Sequence, residues 1–132
     1  LEPPSRRRRF RSPSLKIIGY LTDAPYDTVF RWFQLLRTNL SSFGTREGKV
    51  WVFDQHEIYV FNLINAFHRA GIPIGPAQIH AIVAFAYGDD GQPVVPSGNI
   101  IQTGLATEFI VYATDIYRAT QCALNDEVLY AQ

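Results

Sequence analysis

The chain has 132 residues, with 12 Lys+Arg balancing 12 Asp+Glu, one Cys and no Met. That length suits one domain, and a 47 % apolar share with 14 % aromatic residues is ample for a core, which excludes wholesale disorder. A lone cysteine excludes a disulfide framework and a Cys-based zinc cluster, and no apolar run approaches the ~18 residues of a membrane span.

Residues 1–14 (LEPPSRRRRFRSPS) read as a disordered Arg-rich arm, because Pro, Ser and Arg leave only Leu1 and Phe10 for a core. The chain opens on Leu rather than Met, as a processed or truncated start would. An organelle transit peptide would also be Arg-rich, but its apolar face is missing here. Residues 15–22 (LKIIGYLT) fit either a short helix or a strand. Residues 25–38 predict a helix, with Pro25 in its first turn and Asp23 or Thr22 capping its free N–H groups. Its expected inner face is Tyr26, Val29, Phe30, Phe33 and Leu36; Asp27, Arg31, Gln34 and Thr38 lie opposite, with Arg37 beside them. Residues 39–45 read as a loop, Glu47-Gly48 as a turn, and Val50 to Phe53 as a strand, either a wing or a plain hairpin arm.

Residues 54–70 carry the strongest helix signals. Asp54 and Glu57 have capping-box spacing, Phe53 and Ile58 are placed as a hydrophobic staple, and Gly71 with Pro73 marks the end. Apolar residues cover most of this helix, leaving Gln55, Asn62, Asn65 and Arg69 as a polar stripe. It belongs in the centre of the core or partly in a subunit interface. Residues 76–87 predict another helix, and Asp89-Asp90-Gly91 a turn. Residues 93–95 and 100–101 suggest a small hairpin or an extended crossover. Residues 105–123 suggest a last helix with Leu105, Phe109, Tyr112, Ile116 and Ala119 on one stripe, and residues 125–132 a frayed tail.

The groups that catalysis needs are scarce. There is no Gly-rich phosphate loop, no G-x-S-x-G and no H-E-x-x-H. His56, His68 and His80 lie twelve residues apart, whereas ligands on one helix face lie three or four apart. Cys122 reads as a small core residue, and Asp89-Asp90 as turn residues rather than a catalytic pair. No enzyme activity, metal or cofactor is expected.

The charge balance conceals a division. Residues 1–49 hold ten bases and four acids, and residues 50–132 hold two bases and eight acids. Such a split points to an anion-binding half and a second half with another task. Three basic groups in the first half match three ways of touching duplex DNA. Arg6, Arg7, Arg8, Arg9 and Arg11 form an arm suited to the minor groove or the phosphates. Arg31, Gln34 and Arg37 share the exposed side of the 25–38 helix, where Arg reads guanine and Gln adenine in a major groove. Arg46 and Lys49 sit at the turn before the strand, where a wing tip would meet the flanking backbone. Each group has a plainer reading: a solubilising or RNA-binding tail, a solvated helix face, or ion pairs with Glu47.

The stretch from about Ile17 to Ile79 resembles the winged helix-turn-helix domain of MerR-type transcription regulators. Thr28-Val29-Phe30-Arg31-Trp32 stands for the family's helix motif, Phe53 for the wing aromatic and Glu57 for the helix acid. Phe61, Ile64 and Phe67 follow at the family's spacing, and Gly71 and Ile72-Pro73-Ile74 close the pattern. Phe30 occupies the family's Arg site, the wing lacks the Arg before its aromatic, and there is no cysteine set for metal sensing. An excisionase-like or phage-type regulator of that superfamily fits equally. The resemblance implies DNA binding by the helix, with Thr28 among its contacts, and by the wing, and an antiparallel dimer through a C-terminal helix.

These readings give a mainly α fold. Residues 15–87 are expected to form a MerR-like winged helix-turn-helix domain, and residues 88–132 a hairpin plus helix serving as a dimerisation or partner surface. The expected function is a transcription regulator binding duplex DNA as a homodimer, cytoplasmic and without membrane contact, with a possible protein partner on the acidic half. The alternative is a structural or assembly subunit of a virion or ribonucleoprotein whose Arg arm contacts nucleic acid. A small enzyme or ligand-binding module in the C-terminal half is a third, weaker reading.

Overall fold

The computed structural model describes residues 13–103 and 108–131, and the arm lies outside them up to residue 12. Among the described residues the fold is mainly helical. In chain order it runs α1 (Leu15–Thr22), α2 (Tyr26–Asn39), β1 (Thr45–Glu47), β2 (Val50–Val52), α3 (Gln55–Arg69), α4 (Pro76–Ala86), β3 (Ile100–Thr103), β4 (Glu108–Val111) and α5 (Ala113–Ala131).

The ambiguous stretch 15–22 is a helix, burying Leu15, Ile18 and Thr22 at helical spacing. It ends where Asp23 enters the left-handed region at φ 54 and the Ala24 N–H reaches back to the Gly19 carbonyl at 3.1 Å. This closure engages the residues expected to cap α2. The Thr22 hydroxyl donates to the Ile18 carbonyl at 2.7 Å, and α2 begins after Pro25 with no side-chain cap.

The inner face of α2 is Val29, Trp32, Phe33 and Leu36. Tyr26 and Phe30, expected inside, are exposed. Trp32 is the reason: the largest apolar side chain gains most from burial, and with its ring against the edge of His68 at 5.3 Å it takes the middle of the face. Tyr26 and Phe30 then fall on the shoulder of the helix.

The first hairpin begins earlier than the pattern predicts. Thr45–Glu47 is a strand pairing antiparallel with Val50–Val52, Arg46 lies opposite Trp51, and the turn is Gly48-Lys49 rather than Glu47-Gly48. All three β1 residues are exposed, so no apolar alternation marked the strand. Ser14 bridges to Val52, and the Phe53 N–H donates to the Pro13 carbonyl at 3.0 Å, so the chain enters the fold along the free edge of β2.

Helix α3 is the centre of the core, in contact with α1, α2, α4 and α5. Its capping box forms as the spacing predicts: Asp54 Oδ1 accepts the Glu57 N–H at 2.8 Å and Glu57 Oε1 accepts the Asp54 N–H at 2.9 Å. Phe53 and Ile58 are both buried, and Gly71 stands at φ 82. Two members of the polar stripe face protein rather than water. Asn62 donates to the Thr120 hydroxyl on α5 at 2.8 Å, and Asn65 to the Thr22 carbonyl at 2.9 Å.

The C-terminal third departs most from expectation. Residues 93–95 do not pair with 100–101; instead Ile100–Thr103 pairs with Glu108–Val111, and Pro93 bridges to Tyr87. The predicted helix over 105–123 begins only at Ala113 and continues through Ala131, so residues 125–131 of the tail expected to fray are helical. Phe109-Ile110-Val111 suits a pleated surface as well as a helix, and pairing with Ile100 and Ile101 decides between them. Leu105 lies outside the described residues. Cys122, expected in the core, is exposed on α5.

Candidate nucleic-acid interface

Helices α1 and α2 are joined by the three residues 23–25, and the β1–β2 hairpin follows α2. An aromatic cluster joins the hairpin to α2. Phe33 meets Trp51 edge-on at 5.1 Å and Phe53 at 5.3 Å; Phe43 and Phe61 complete the cluster, each within 6 Å of Phe53. Gly44 threads between two of these rings at φ +83, where an added Cβ would stand 3.0 Å from Phe33 and 3.1 Å from Phe53. Its N–H donates to Glu57 Oε2 at 2.7 Å. Burial pushes the Glu57 carboxyl above its ordinary pKa, against the opposing pull of the Gly44 and Asp54 N–H groups.

On this support the expected contact residues take different positions. Arg31 and Gln34 are exposed on one side of α2, with Asp27 and Thr38 on the same side. The Thr38 hydroxyl turns back to the Gln34 carbonyl at 3.1 Å. Lys49 is exposed in the hairpin turn and Arg46 on β1, its guanidinium 5.2 Å from the Trp51 ring centroid. Two expected contacts lie elsewhere. Thr28 is half-buried, off the outward stripe. Arg37 is half-buried too: it donates to the Phe43 carbonyl at 2.8 Å and lies 4.6 Å from the Trp51 centroid, so it holds the hairpin instead of standing free. Arg6, Arg7, Arg8, Arg9 and Arg11 lie outside the described residues.

Other exposed residues of α1 and α2 are ones that periodicity did not select. Lys16 and Tyr20 on α1 are exposed, as are Tyr26 and Phe30 on α2. Tyr26 and Phe30 stack with centroids 6.1 Å apart and ring planes 7° from parallel. Exposed aromatics invite assignment to the interior, and only the position of Trp32 reveals that they stay outside.

Elsewhere, α3, β4 and α5 border an open, mostly apolar cleft of about 450 Å³ lined by Ala66, Phe109, Val111, Asp115, Ile116 and Ala119 among others. His56 bonds the Ala86 carbonyl at 2.8 Å and His80 the Asn39 side chain at 3.2 Å. Among the described residues no group of three or more His, Cys, Asp or Glu could hold a metal ion, and no helix is long and apolar enough to cross a membrane. Compared with known proteins, the chain matches no family model, no curated protein and no solved structure.

Proposed function

We propose that the chain is a duplex-DNA-binding regulator of winged helix-turn-helix type without enzyme activity. The observation that carries this reading is the succession of α1, a three-residue turn, α2 presenting Arg31 and Gln34 to solvent, and a hairpin with Lys49 at its tip. In this reading α2 enters the major groove. Arg31 has the fork geometry for guanine O6 and N7, and the Gln34 amide can serve both adenine N6 and N7. Lys49 and Arg46 meet phosphates, and the arm adds sequence-independent affinity. Arg37 and Thr28 make no base contact; Arg37 holds the hairpin against the helix through Phe43 and Trp51.

The assembly-subunit alternative rests on the 14 % aromatic share, the Arg-rich arm and the nearly all-round apolar surface of α3, and of these three the α3 surface is covered by α1, α2, α4 and α5 of the same chain. Homodimerisation through the C-terminal part remains part of the reading, and sedimentation measures it. A gel-shift titration with mixed-sequence duplex at low salt tests the function: retarded complexes are expected, and no duplex affinity would overturn it.

A further inference from the structure

Beside the duplex-reading stripe lies a second surface with its own chemistry. A cleft of about 330 Å³ opens between the start of α1, the outer shoulder of α2 and the hairpin, lined by Lys16, Tyr26, Phe30, Lys49 and Trp51 among others. Lys16 and Tyr26 also line a neighbouring open depression of about 480 Å³ together with Tyr20, so the two form one track across the α1–α2 corner. Tyr20, Tyr26 and Phe30 are 77 %, 53 % and 37 % exposed. Among the described residues no carboxylate lines the first cleft; Asp23 lines the second and stands 3.6 Å from Arg69.

We infer that this track binds single-stranded nucleic acid, with unpaired bases stacking on Tyr26, Phe30 and Tyr20 and phosphates meeting Lys16 and Lys49. Bases inside a duplex are stacked on one another and offer only their edges, which suits Arg31 and Gln34. Rings need a base face, and only an unpaired strand presents one. Tyr26 and Phe30 already stand near-parallel, the orientation in which a base joins an aromatic stack. Two ammonium groups at the cleft supply the charge complementarity that a phosphate backbone requires. The inference goes beyond the duplex reading and does not depend on it.

Fluorescence anisotropy of the full chain tests it at low ionic strength. Four labelled probes are compared: oligothymidylate and oligouridylate of about 16 nucleotides, an abasic deoxyribose-phosphate strand of equal length, and a duplex. Oligothymidylate or oligouridylate should bind at least about fivefold tighter than the abasic strand. Phe30→Ala and Tyr20→Ala should each remove most of that advantage while leaving abasic binding unchanged. Tyr20 is far outside the core, so its variant separates lost stacking from lost folding. The tighter of the two base-bearing strands identifies DNA or RNA as the source. Abasic and base-bearing strands bound equally, or variants without effect, overturn the inference even where duplex binding persists. Single-strand binding without duplex binding supports it and counts against the duplex reading instead.

Discussion

The carboxylate of Glu57 accepts the Gly44 N–H at 2.7 Å through one oxygen and the Asp54 N–H at 2.9 Å through the other. Gly44 and Asp54 flank the hairpin, so one side chain from the central helix closes the base of the element that carries Arg46 and Lys49. Replacing it by Gln turns an N–H donor toward one of the two part-buried N–H groups that the carboxylate accepts. Glu57→Gln should therefore destabilise the fold by about 1–3 kcal/mol, measured by urea unfolding at neutral pH.

The same carboxyl gives a pH dependence whose sign follows from its burial. Its pKa is raised from the ordinary 4.5, so the folded chain holds that proton more tightly than the unfolded chain does. The contribution to stability is full below the unfolded value and is lost as pH rises through the folded one. On acidification from neutral pH toward 4.5, the wild type should gain stability relative to Glu57→Gln, which does not titrate. Denaturation midpoints of both proteins across this range check the trend; the reverse slope would mean that the two N–H bonds outweigh desolvation.

Gly44 is the other half of the clamp. A side chain there meets a positive φ and two aromatic rings at near-contact distance. Gly44→Ala should destabilise by about 2–4 kcal/mol. Gly48→Ala makes the control, because it shares the positive φ but has no atom within 4 Å of the added Cβ. Thermal unfolding of the pair separates backbone strain from crowding.

Two arginines six residues apart on one helix should behave oppositely. Arg37→Ala loses the bond to the Phe43 carbonyl and the contact with Trp51, and should cost about 1–2 kcal/mol of stability. Arg31→Ala, at an exposed position, should change stability by less than about 0.5 kcal/mol while weakening duplex binding. Chemical denaturation and gel shift on both variants check the division.

Much of the helical part was legible because its signals are local. Asp54 with Glu57 marks a helix start, Gly71 its end, and the apolar surround of α3 its central place. What escaped depends on partners distant in sequence. Arg37 looks like a solvated helix residue until Phe43 and Trp51 close around it. Tyr26 and Phe30 satisfy the inward period as well as Val29 does, and only Trp32 decides the rotation of α2. Phe109 through Val111 suits helix and strand alike, and the choice rests with Ile100 and Ile101. For the site, the sequence identified Arg31, Gln34, Arg46 and Lys49 as exposed polar residues. The clamp from Glu57 to Gly44 needed the fold, because a capping box explains only one of the two carboxylate oxygens.

The most direct test of the duplex-binding account is the salt dependence of affinity for a mixed-sequence duplex, compared between wild type and Lys49→Ala. Each phosphate contact removed should lower the slope of log affinity against log salt by about 0.9. A steep slope is expected for the wild type, and for Lys49→Ala a slope lower by about one contact. A wild type without measurable duplex affinity at low salt, or an identical slope in the variant, would contradict it.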